Sequence, residues 1–122
     1  MDDLEQLRQE IRAWVKENLV GKKVYRKELE DFIEFTWQGL KHDTGNSRKL
    51  QQQRLEILKE MESILESANY DGKETDYHQR NDIKAYHYFS KEIEDLPLLK
   101  IVVRENKDKK FFYDHLFDTK DD

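Results

Sequence analysis

The sequence has no cysteine, one proline and four glycines among its 122 residues. Without cysteine there is no disulfide, no thiolate metal site and no cysteine nucleophile. No apolar run approaches the roughly 18 residues that a membrane helix needs. The first residues, MDDLEQLRQE, lack the basic and apolar regions of a signal peptide. A soluble, cytoplasmic protein is therefore expected, with no membrane partner. Basic charge is in the minority, and the formal net charge of −5 opposes bulk attraction to nucleic acid. Internal repeats and low-complexity segments are also missing.

What is present is one domain's worth of chain, 1–122, with 36% apolar and 40% charged residues. That is polar for a globular protein, but six Phe, six Tyr and two Trp argue against wholesale disorder. The charge is unevenly spread. Lys41, Arg48, Lys49 and Arg54 face only Asp43 between Gln38 and Arg54. Lys100, Arg104, Lys107, Lys109 and Lys110 outnumber Glu105 and Asp108. If these segments converge they make a polyanion site on an acidic protein; otherwise they are two separately solvated faces.

Leu4, Leu7, Ile11, Trp14, Val15 and Asn18 follow helical spacing, with acids at the N-terminal end, and predict a helix over about 3–19. Gly21 stops it. Lys23 to Thr36 reads as a strand pair around an acidic ELED turn or as a strand preceded by an irregular arm, and Trp37 to Lys41 as one helical turn. Asp43, Thr44, Gly45, Asn46 and Ser47 are loop formers. Leu50, Arg54, Leu58, Met61, Leu65 and Ala68 predict a second long helix over about 49–68. The polar DGKETDYHQRND stretch reads as a loop. Ile83, Ala85, His87 and Phe89 then alternate with Lys84, Tyr86, Tyr88 and Ser90, predicting a strand with His87 on its apolar side and the tyrosines on the other. Leu99–Val103 and Phe111–Phe117 form a hairpin, with Pro97 at its start. The expected class is α+β: two N-terminal helices on an antiparallel sheet of about four or five strands, over about 23–36 and 82–117.

Histidine is the residue best suited to moving protons near neutral pH. Of the four histidines, His42 follows Lys41 before a polar turn, His87 and His115 lie on strands, and His78 is in a polar loop. Two imidazoles and a cation suffice for RNA cleavage without a metal, in which the 2′ oxygen attacks phosphorus and the 5′ oxygen leaves. Lys41, Arg104, Tyr86 and Tyr113 offer charge and hydrogen-bond donors, and exposed aromatics can stack bases. The plainer alternatives stand beside this one. His87 suits a satisfied core position, the tyrosines suit strand packing, and no pair of histidine and aspartate shows a recognised metal-ligand spacing. Ser47 lies in no nucleophile motif.

The order GKKV, DFIEFT, WQGLKH, a following Ser, NDIKAYHYF, LKIVVRE and KKFFYDHLFD resembles the large polyvalent protein-associated domains of phages and mobile elements, grouped with barnase, EndoU, colicin and RelE-type nucleases. The resemblance runs from about Ile11 to Asp118. It implies helices packed on an antiparallel sheet whose open face holds a ribonuclease site. Lys41 and His42 match the family's loop step, Ser47 its hydroxyl, Tyr86 and His87 its aromatic strand, Arg104 its arginine strand, and Tyr113 with His115 its last strand. The DTGN insert after His42 departs from that pattern and unsettles the placement of Ser47.

The expectation that follows is a metal-independent endoribonuclease-like domain, acting as toxin, effector or phage–host conflict protein. Its catalytic candidates are Lys41, His42, His87, Arg104, Tyr113 and His115. Ser47, Arg48, Lys49, Tyr86 and Tyr88 are the substrate-binding candidates. No cofactor and no DNA sequence specificity are expected. The partners expected are RNA, with tRNA a candidate, and an antitoxin or immunity protein. The rival is a catalytically inactive RNA- or protein-binding module of the same fold.

Overall fold

The computed structural model describes residues 3–44, 55–75, 83–94 and 96–118. Helix α1 (Asp3–Asn18) leads through Gly21, in the left-handed region at φ 93°, into strands β1 (Lys23–Arg26) and β2 (Asp31–Glu34). Helix α2 (Trp37–Thr44) follows. After the 3-10 turn Leu58–Glu60 come helix α3 (Met61–Ser67) and strands β3 (Asn69–Thr75), β4 (Ile83–Lys91), β5 (Leu99–Asn106) and β6 (Phe111–Asp118). They make one six-stranded sheet, ordered β1-β2-β6-β5-β4-β3.

The α+β class holds, with three corrections. The sheet has six strands rather than four or five, because the first five residues of the polar segment read as a loop, Asp71 to Thr75, belong to β3. Its pairing with β4, from Asn69↔Ser90 to Thr75↔Ala85, outweighs a sequence with little apolar alternation. The sheet is also mixed, since β2 runs parallel to β6 through Ile33↔Phe111 and Glu34↔Phe112. Finally, the helical turn at Trp37 is a third helix extending through Thr44, with Asp43 and Thr44 inside it rather than in a loop. The Thr44 hydroxyl donates to the Lys41 carbonyl and accepts from Arg12 of α1, which binds the end of α2 to α1.

Strand alternation sorts the side chains onto two faces. On the inner face Val24, Ile33, Phe89, Leu99, Ile101, Val103, Phe111, Tyr113 and Leu116 join the buried side chains of the helices in a single core. The helices contribute Ile11 and Val15 from α1, Leu40 from α2, Leu58 from the 3-10 turn, and Met61, Ile64 and Leu65 from α3. On the outer face the register sets one row across all six strands: Lys23↔Glu34, Glu34↔Phe112, Phe112↔Arg104, Arg104↔Tyr86 and Tyr86↔Glu74. Most of that face is exposed or half-buried.

Not every inner-face residue is apolar. Arg26 of β1 is buried, and its guanidinium donates to the carbonyls of Leu65 at 2.8 Å and Ala68 at 2.6 Å, the unpaired oxygens at the end of α3. It also forms a two-point pair with Glu28 at 3.1 Å and lies 4.8 Å from the centre of the Phe89 ring. One cation thus joins β1, α3 and β4. The same contact holds the Glu28 carboxyl below its ordinary value, chiefly through its hydrogen bond to Arg26. Replacing Arg26 by Ala leaves two buried carbonyls without a donor, so Arg26→Ala should cost about 2 kcal/mol or more in urea unfolding. A loss below about 0.5 kcal/mol, the scale of an ordinary surface change, would show that the guanidinium is not a structural joint.

Candidate functional site

The geometry of β6 is set from its edge. β2 pairs only with its first residues, and past Phe35 the chain turns into α2, which lies against the rest of the strand. The approach is close enough that a Cβ at Gly39 would collide with the Tyr113 carbonyl and come within 3.0 Å of the Asp114 carbonyl. Only glycine permits that backbone contact. Asp43, the next-to-last residue of α2, then supplies what a neighbouring strand would have supplied. Its buried carboxylate accepts the Tyr113 hydroxyl and, at 3.1 Å, the Leu116 backbone N–H.

Those two anchors bracket Asp114 and His115. The β5–β6 register shifts here, passing from Val103↔Tyr113 to Val102↔His115, so Asp114 is the extra residue of a bulge. The bulge aims its side chain at Arg104 and His115. Arg104 Nη1 is 3.3 Å from Asp114 Oδ1, and His115 Nδ1 is 2.6 Å from Oδ2. An ionised carboxylate can only accept, so it selects the His115 tautomer with the proton on Nδ1. Burial alone would raise the Asp114 carboxyl, but the hydrogen bond and charge of His115, followed by Arg104, hold it below its ordinary value. The Arg104 guanidinium also lies 5.4 Å from the centre of the Phe112 ring.

Aromatic rings surround this cluster on the outer face. Tyr86 is opposite Arg104, Tyr88 opposite Val102, and the Phe117 ring is 6.0 Å from that of His115. The Tyr88 hydroxyl donates to Glu74 at 3.4 Å, and burial, then the Glu74 charge, raise its pKa. Lys100 pairs with Asp71 at 3.5 Å. The face therefore offers stacking surfaces beside paired charges.

Of the residues singled out in the sequence, Arg104, His115, Tyr86 and Tyr88 share this face. His87 is on the other. It is 4% exposed, with Nε2 2.8 Å from Glu105 and Nδ1 2.9 Å from the Tyr70 hydroxyl. With Glu105 accepting from Nε2–H, the phenol donates to Nδ1. Burial and then the charges of Glu105 and Glu28 raise the Tyr70 pKa, which favours the phenol as a donor. Tyr113 is fully buried on the same inner face, against Phe35 and Asp43. Lys41 is exposed on α2. The His42 side chain and Ser47, Arg48 and Lys49 lie outside the described residues. Sequence reasoning weighed Asp114 only as a metal partner for histidine and passed over Glu105; the cues were an Asp–His dipeptide and an acid following the Leu99–Arg104 run. Among the described residues, no three His, Asp or Glu side chains gather as a metal-binding group.

The lowered Asp114 carboxyl gives a pH signature. The group stabilises the fold above its unfolded pKa of about 3.9, and that contribution is lost as the pH falls through the lower folded value. Asp114→Asn should therefore lower Tm at neutral pH, with the gap from wild type closing below about pH 4. A gap that stays constant into stronger acid would contradict the ion-paired carboxylate.

Residues 2–113 match the family described as large polyvalent protein-associated domain 3, and the chain belongs to that family. No curated protein and no solved structure matches it.

Proposed function

We propose that this polyvalent protein-associated domain is a metal-independent endoribonuclease, of the barnase, EndoU, colicin and RelE type, with its site on the outer sheet face. The observation that carries the reading is the Asp114 carboxylate shared by Arg104 and His115 in the middle of an aromatic surface. Each part has a role in cleavage by the 2′ oxygen. His115, with Nδ1 held by Asp114, takes the 2′ proton at Nε2 as the bond from that oxygen to phosphorus forms. Arg104 steadies the charge that builds on the phosphorane oxygens. The bond to the 5′ oxygen breaks, and Tyr86, across from Arg104, supplies the proton that oxygen needs. Asp114 keeps the imidazole in the tautomer that can act as base. Tyr88, Phe112 and Phe117 give neighbouring bases rings to stack on. A role as toxin, effector or conflict protein, with tRNA among the substrates and an antitoxin as partner, fits such an activity.

A second reading has its own observation. His87 and Tyr113, two of the six expected catalytic residues, are buried on the inner face, so a face with Arg104 and His115 alone also suits a module that holds RNA or protein without cutting it.

Total RNA or tRNA incubated with the protein in EDTA should yield fragments with 2′,3′-cyclic phosphate ends. His115→Ala should lower the rate by about 100-fold or more in protein that circular dichroism shows to be folded. RNA that is bound but intact across about pH 5 to 8 would overturn the nuclease reading in favour of the binding module.

A further inference from the structure

Two of the three large apolar side chains exposed among the described residues stand side by side. Tyr25 and Phe32, 53% and 51% exposed, are opposite each other on the outer face of the β1–β2 hairpin, their rings edge-on with centroids 5.3 Å apart. Two residues along, Lys23 on β1 is opposite Glu34 on β2. In the turn, Lys27 follows β1 and Glu30 precedes β2, and both are exposed. At alternate positions, one arm of the hairpin therefore reads Lys, Tyr, Lys and the other Glu, Phe, Glu. None of these four charges forms an ion pair among the described residues. The hairpin's other charges differ: Arg26 and Glu28 pair with each other, and the Asp31 carboxylate accepts the Phe32 backbone N–H. Beside Phe32, where β2 meets β6, a cleft of about 220 Å³ opens between Lys23, Glu34, Lys110 and Phe112.

We propose that this hairpin is the contact surface of a weak homodimer, in which the outer faces of two hairpins meet about a twofold axis running parallel to the strands. An exposed aromatic pair rimmed by charge marks an interaction surface, and the charge pattern selects both its occupant and the axis. An acidic or a basic partner would match one arm and be repelled by the other. A second copy matches both. Rotation about that axis lays the basic arm of each copy on the acidic arm of the other and keeps every position at its own height. Lys23 then meets Glu34, Tyr25 meets Phe32 and Lys27 meets Glu30, each twice, as a self-complementary contact requires. The Tyr25 ring of each copy enters the cleft beside Phe32 of the other. A twofold axis across the strands, or pairing of the two β1 edges, would instead bring lysine toward lysine. The overlap ends at the hairpins, because β6 and β5 of the two copies extend to opposite sides of the axis; Arg104, Asp114 and His115 stay uncovered. Two short hairpins fall well below the roughly 20–30 residues a side of a standard interface, so the dimer belongs to the weak, reversible class. It stands whether or not the outer face cuts RNA.

The test is sedimentation equilibrium of the full chain at about 0.15 M salt, where the like net charges of two copies are screened from each other. The wild type should show a monomer–dimer equilibrium with a Kd between about 10 μM and about 1 mM. Phe32→Ser should weaken it at least about tenfold, since the ring is central to the contact. Lys23→Glu and Glu34→Lys should each weaken self-association, because like charges then face each other across the axis. An equimolar mixture of those two variants should associate at least as tightly as the wild type, because every crossed pair is then opposite in sign. Circular dichroism confirms the fold of each variant. A wild type that stays monomeric up to about 1 mM leaves the patch to a partner of another sequence and overturns the proposal. A dimer that Phe32→Ser leaves intact, or a mixture of the two charge variants that stays monomeric, overturns it as well.

Discussion

The buried carboxylate of Asp43 is the contact on which the geometry of the site depends. β6 is central in the sheet at its start and an edge from Tyr113 onward, because β2 stops pairing with it after Phe112. An edge in the core would leave backbone donors unsatisfied. α2 closes that edge with a side chain instead of a strand. Asp43 takes the Leu116 amide and the Tyr113 hydroxyl, and Gly39 lets the helix backbone lie on the strand. Because the two anchors flank Asp114 and His115, the inner-face contact fixes the bulge that turns both outward. Packing and chemistry meet in four consecutive residues of β6.

Local patterns in the sequence account for much of the fold. The spacing of Leu7, Ile11, Trp14 and Val15 marks α1, and the alternation from Ile83 to Phe89 separates His87 from Tyr86 and Tyr88 onto opposite faces, as the sheet does. The features that escaped are those whose cause lies far along the chain. Asp43 reads as a turn former by its local propensity, yet its partners are 70 and 73 residues away. β3 carries almost no apolar pattern and is made a strand by β4. The parallel β2–β6 pair joins segments that no local periodicity links. Nothing local marks Arg26 for burial, which the carbonyls at the end of α3 explain.

The candidate site follows the same division. Arg104 and His115 were legible as chemistry-bearing residues, but not that one carboxylate would hold both, since that requires a bulge to turn Asp114 to the outer face. The proposed use of the outer face for RNA is compatible with an acidic chain for a local reason. Lys23, Lys100, Arg104 and Lys110 all lie on or beside the outer face, and stacking on aromatic rings is insensitive to net charge. An acidic protein of this kind should bind through shape and rings more than through long-range attraction.

The central claim is that Asp43 on the inner face sets the state of His115 on the outer one. Ring 15N shifts of His115 at pH 8, recorded by long-range proton–nitrogen correlation, read that state directly. The account predicts that the wild type holds the proton on Nδ1, against Asp114, and that Asp43→Asn, in protein shown to remain folded, shifts the population toward Nε2–H as the bulge loosens. A wild-type ring with its proton on Nε2, or a tautomer unmoved by Asp43→Asn, would contradict it.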